Sequence, residues 1–170
     1  DSMKPPRLAF GPDGNPAMLY VKGSVPTLAT WTGGTWPASG GWLYETAPVI
    51  DSGNYAFDLA FDPVTGAPAI ASYVPSLSAL RFYRRVAGAW LAETVDSGFV
   101  RSVELGFALP PGATTAVPTI AYRWEKKSAY VKVAQKVGSS WVRDTVASGV
   151  SGGSVYHVHL AFDGVADPAV

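Results

Sequence analysis

Two histidines spaced by one residue, His157 and His159 in "YHVHL", are the first place in this sequence where side chains could do chemistry. On a β-strand, residues two apart share a face, so both imidazoles could reach one metal ion. A metal site needs a third and usually a fourth donor. The chain has no other histidine and no cysteine. Carboxylates such as Asp58 or Glu104 would have to complete the set, which leaves His157 and His159 as weak metal candidates. Lack of cysteine also excludes disulfides, thiolate nucleophiles and thiolate-held zinc or iron–sulfur centres. No Ser-His-Asp spacing, no Gly-x-Ser-x-Gly elbow and no phosphate loop occurs. The expectation is a protein that is not an enzyme and carries no cofactor.

Residues suited to binding are easier to find. Arg7, Asp58, Glu104 and His159 each stand directly before a "LAF" or "LGF" triplet. Four polar side chains of mixed charge at one repeated place, each next to a small residue, could line a pocket; they could equally pair with one another. Trp36, in "GGTWPASGG", and Trp124, in "WEKKS", are placed by the pattern in loops, where aromatics make good contacts with a partner. Residues 81–143 hold ten basic side chains against four acidic, and the rest of the chain holds three against nine. The basic part includes Arg81 and Arg85 in "RFYRR" and the run "YRWEKK". An acidic partner would be steered to that half. The overall charge of zero argues against a general nucleic-acid binder, and no apolar run is long enough for a membrane-spanning helix. Nothing in the sequence selects a cellular compartment.

The elements that carry these residues are given by a repeat. Leu8, Leu59, Leu105 and Leu160 open the triplets, and Pro16, Pro68, Pro118 and Pro168 follow them. Trp42, Trp90 and Trp141 recur, each three residues before Glu45, Glu93 or Asp144. In the second unit the segments "DLAFDP", "PAIASYV", "LRFYRRV" and "AWLAETVD" are short runs of strand-forming residues separated by turn residues, the pattern of antiparallel hairpins. The recurring Trp residues read as packing, and the recurring carboxylates as acceptors for a neighbouring unit's turn. Function belongs more naturally where the units differ.

Four short strands in about 50 residues resemble one blade of a β-propeller. The resemblance covers essentially the whole chain and implies an architecture without a subfamily; the WD40 dipeptide and the sialidase Asp-box are missing. It implies one all-β domain over residues 1–170, a propeller-like arc of three four-stranded antiparallel blades at about 3–51, 54–97 and 101–148, with a partial fourth at 155–170. Asp1-Ser2 matches the end of a preceding unit, so the arc is expected to be incomplete. In a propeller the first strands line the central channel, which makes Arg7, Asp58, Glu104 and His159 ligand candidates together with Trp36, Trp124, Arg81 and Arg85.

The expected function is a non-catalytic binding module that holds a peptide or protein segment, an acidic one where the basic half steers it, at its channel-side face or open edge. A lectin-like propeller using the non-recurring tryptophans on a glycan is the alternative. A fragment of a glycosidase-like propeller comes third. Self-association through open blade edges is a further expectation.

Overall fold

The structure is a computed structural model that describes residues 5–48, 56–150, 157–163 and 168–170. These form fourteen strands and one short 3-10 turn at Pro75–Leu77. The first sheet contains β1 (Arg7–Phe10), β2 (Pro16–Lys22), β3 (Val25–Thr32) and β4 (Gly41–Thr46). The second contains β5 (Phe57–Phe61), β6 (Pro68–Val74), β7 (Ala79–Val86) and β8 (Ala89–Ser97). The third contains β9 (Phe99–Ala108), β10 (Val117–Glu125), β11 (Ala129–Val137) and β12 (Ser140–Val150). Each is antiparallel and follows chain order, and β13 (Ala161–Phe162) pairs with β14 (Pro168–Ala169) as a separate two-stranded piece. The fold is therefore all-β with three four-stranded antiparallel sheets, and none of them closes on itself.

The repeat sets the register. Phe10 pairs with Pro16, Phe61 with Pro68 and Phe107 with Pro118. The first hairpin turns at Asp13-Gly14, where Gly14 takes φ +77° and the Asp13 carboxylate accepts the amide of Asn15 at 3.0 Å. That left-handed position is cheap only for glycine. Alternation then sends Leu8 and Phe10 to one face of their sheet and Arg7 and Ala9 to the other.

Two cores lie between the sheets. Ala17, Leu19 and Leu28 of the first sheet meet Phe57, Leu59 and Tyr83 of the second. Ala69, Ala71 and Phe82 of the second meet Val103, Leu105 and Tyr122 of the third. The rule is constant: the triplet of one sheet packs on small residues of the sheet before it. At the fourth unit the same close approach recurs, since a Cβ on Gly106 would stand 2.6 Å from Phe162 Cε2. The central sheet is covered on both faces, which is why β6 is buried almost throughout rather than on alternate residues. The first sheet's triplet lacks a preceding sheet among the described residues. Leu8 is accordingly 56% exposed, against 4% for Leu59 and 6% for Leu105.

Two expectations need correction. Trp124 lies within β10 and not in a loop, because strands β10 and β11 run on to a tight turn at residues 126–128. Of the recurring carboxylates, Glu45 and Glu93 meet strand side chains of the next sheet and not its turns, while Asp144 accepts the Thr145 amide beside it. Asp1-Ser2 and Asp51-Ser52 lie outside the described residues.

Candidate functional site

The residue before each triplet is used to join neighbouring sheets. Asp58 Oδ2 accepts the amide of Leu105 at 2.8 Å, and Glu104 Oε2 accepts the amide of Leu160 at 3.0 Å. Arg7 is a cation and therefore needs an acceptor: its Nε donates to the Phe57 carbonyl at 3.1 Å and lies 3.7 Å from Asp58 Oδ1. His159 Nδ1 stands 3.3 Å from Glu104 Oε2. The structure thus brings Arg7, Asp58, Glu104 and His159 together where the first strands of successive units meet. The space beside them, which His157 also lines, is about 100 Å³. That is far below the ~300–1,000 Å³ of ordinary ligand pockets. Among the described residues no three metal-ligating side chains cluster, at His157 and His159 or elsewhere.

Burial pushes the Asp58 carboxyl up to about 6, against the opposing pull of the Leu105 and Leu59 amides and Arg7. The folded chain then binds this proton more tightly than the unfolded chain, whose value is 3.8. Stability contributed by this group is full below pH 4 and falls as pH rises to about 6, by at most ~3 kcal/mol. Asp58→Asn keeps an acceptor for the Leu105 amide and should flatten that decline. Denaturant unfolding from pH 4 to 7 reads the result; an unchanged slope in the variant would exclude Asp58 as its source.

A second link joins the outer halves of the sheets. Glu45 of β4 pairs with Arg85 of β7, whose guanidinium lies over the Trp90 ring at 5.0 Å. Glu93 of β8 pairs with Lys136 of β11, which lies 5.6 Å from the Trp141 ring centre, and Trp141 Nε1 donates to Glu93 at 3.1 Å. Carboxylate, cation and tryptophan therefore form one device used twice. The cation stands opposite the tryptophan in both sheets, Arg85 to Trp90 and Lys136 to Trp141. Opposite Trp42 in the first sheet stands Trp31, in edge-to-face contact at 5.5 Å. The first sheet thus has an aromatic ring where the others have a charge.

Trp124 is likewise engaged. Its Nε1 donates to the Ser97 carbonyl at 2.8 Å, its ring meets Tyr130 edge to face, and Lys132 Nζ lies 4.7 Å from its centre. Trp36 is different: it is 44% exposed and touches Phe10 edge to face at 6.3 Å. Arg81 Nη1 donates to Thr94 Oγ1 at 2.6 Å on the face toward the first sheet.

An open cleft lies where the second link joins sheets two and three. This cleft, about 800 Å³, is lined by Arg84, Glu93, Thr94, Lys136, Trp141 and Arg143, among others. It holds three cations against one carboxylate. Lys136 is bonded to Glu93, whereas Arg84 Nε is 3.7 Å from Glu93 and its side chain is 55% exposed. Arg143, 48% exposed, donates to the Val95 carbonyl at 3.1 Å and lies 3.6 Å from Asp96. Edge strands β8 and β12 border the cleft, each paired on one side only among the described residues. Their register irregularities fall opposite Leu80–Arg81 and Ala129–Lys132, so residues 89–94 and 140–145 pair regularly.

Lys136 and Arg143 were missed as candidates by reading the sequence. Their signal was present: Lys136 stands five residues before Trp141 as Arg85 stands five before Trp90. No family model, curated protein or solved structure matches the chain.

Proposed function

We propose that the chain is a non-catalytic binding module, a propeller-like arc of three blades and part of a fourth, that holds an acidic, extended protein segment at its open edge. The observation carrying this reading is the cleft between β8 and β12, whose lining holds Arg84, Lys136 and Arg143 and one carboxylate, Glu93. Sequential sheets stacked through their triplets support the propeller-like arrangement. An extended segment gains main-chain hydrogen bonds by adding to a free strand edge, and its side chains provide selection. Here the selection is for carboxylates, which Arg84 and Arg143 can each grip with a planar fork of donors. The polar line through Asp58 and Glu104 serves cohesion of the inner strands and leaves a space too small for a chain segment.

A labelled oligoglutamate peptide tests the reading by fluorescence anisotropy. Binding is expected at low salt, with affinity falling as ionic strength rises. Arg84→Ala and Arg143→Ala should each weaken it about three- to tenfold, in keeping with partly exposed charge pairs. Equal affinity for an oligolysine control, or no loss in the double variant, would reject the site. A glycan that quenches Trp36 while oligoglutamate fails to bind would favour the lectin reading.

A further inference from the structure

The two ends of the stack carry complementary halves of the contact that joins its internal sheets. Three parts make up that contact: a polar side chain before one triplet, the amide of the next triplet's leucine, and the packing of that leucine and phenylalanine over a small residue. Asp58 with the Leu105 amide, and Leu105 over Ala60 and Ala69, form it between sheets two and three. Glu104 with the Leu160 amide, and Phe162 over Gly106, form it at the fourth unit.

At the far end His159 is 89% exposed, and its Nδ1 faces Glu104. Ala161 is exposed and occupies the triplet position held by Ala9, Ala60 and Gly106. At the near end Leu8 and Phe10 are 56% and 53% exposed. Leu8 sits in β1 as Leu105 sits in β9, two residues before a phenylalanine opposite proline, so its amide points off the inner edge in the same way. No partner for it is found among the described residues. Trp31, in the place of Arg85 and Lys136, removes the one charge that would demand a carboxylate from the covering unit. The described part of the fourth unit presents inner strands only and offers no fourth-strand carboxylate.

We propose that this chain associates head to tail with a second copy, the Leu8 and Phe10 face of one copy seated on His159 and Ala161 of the other. The occupant is a second copy because the same chain supplies both halves, in the chemistry already used twice within it. Such a contact is heterologous and generates a ring or an open chain of copies. It is independent of the acidic-segment site, which lies at the outer edges of β8 and β12.

Sedimentation equilibrium on the intact chain tests this, with Leu8→Glu and Ala161→Trp as variants at exposed positions and Phe10→Glu as a second disruptor of the near face. The wild type should exceed its 17.9 kDa monomer mass in a concentration-dependent way. Each variant alone should run as a monomer. Because Leu8→Glu keeps the far face and Ala161→Trp keeps the near face, an equimolar mixture should form one-to-one pairs and stop there. That complementation also shows that both variants are folded. A monomeric wild type at the highest concentration reached would overturn the proposal. So would an Ala161→Trp variant that stays dimeric, since that pairing would be near face to near face, or a mixture that stays monomeric.

Discussion

Asp96→Ala is expected to lower stability by ~4 kcal/mol and the melting temperature by about 10 °C. Four groups converge on this carboxylate. Tyr122 Oη donates to Oδ2 at 2.7 Å and Lys132 Nζ at 2.8 Å, the Ser97 amide donates to Oδ1 at 2.9 Å, and Arg143 lies 3.6 Å away. The carboxylate side chain is 13% exposed, and Tyr122 is fully buried in the core between sheets two and three. Removing the carboxylate leaves the buried hydroxyl without its acceptor, which by itself costs ~1–3 kcal/mol, and strands the Lys132 charge. Asp96→Asn retains an acceptor for Tyr122 and should lose about half as much. Burial raises the Asp96 carboxyl, but the bonds from Lys132 and Tyr122 outweigh it and hold the group below its usual 3.8. Its stabilisation is therefore present above pH 4 and is lost as the solution is acidified through the folded value. In denaturant unfolding, the stability difference between wild type and Asp96→Ala should shrink at the acid end to the part that a neutral acceptor for Tyr122 supplies. A constant difference at all pH values would show that the loss comes from packing and not from charge.

Gly98→Ala is expected to cost ~3 kcal/mol, an unusual loss for one methyl group on a connection between sheets. Gly98 has φ +115°, a backbone conformation that side chains rarely adopt. A Cβ there would fall 2.3 Å from Trp124 Nε1 and 2.8 Å from its Cε2. The ring cannot withdraw freely, because its Nε1 is bonded to the Ser97 carbonyl and its face is covered by Lys132. Either the backbone gives, at the expense of the 2.7 Å bond from the Gly98 amide to the Ser78 carbonyl, or the tryptophan leaves and takes the contact with Tyr130 with it. Trp124 fluorescence separates the two. A red-shifted emission in the variant means the ring has moved to water. Stability within ~0.5 kcal/mol of wild type would contradict the account of this junction.

These two positions also show what the sequence conveys and what it leaves out. The strands of the second unit were legible almost to the residue, because "PAIASYV" and "RFYRRV" are bounded by glycine, proline and serine turns. Division into three four-stranded sheets was legible because Leu, Pro and Trp recur together. Trp124 falls, by the repeat, where the second unit has its loop "VPSLS", yet strand pairing extends through Glu125 to Ala129. Convergence on Asp96 was not legible: Tyr122, Lys132 and Arg143 come from three adjacent strands of the third sheet, and Asp96 reaches them from the second. Pairing of Arg7, Asp58, Glu104 and His159 along the inner strands was one of two readings left open by their mixed charge, and the structure supplies the distances. The basic cleft mixes both cases. Arg84 lies in a visible basic run, whereas Lys136 and Arg143 are scattered and meet only because β11 and β12 fold back beside β8.

Amide hydrogen exchange, recorded with and without oligoglutamate, tests the central claim most directly, since it reports where a bound segment lies. The account predicts new protection at the outer amides of residues 89–94 in β8 and 140–145 in β12, with inner strands β1, β5 and β9 unchanged. Protection confined to the inner strands around Asp58 and Glu104, or no change anywhere when the peptide is saturating, would contradict it.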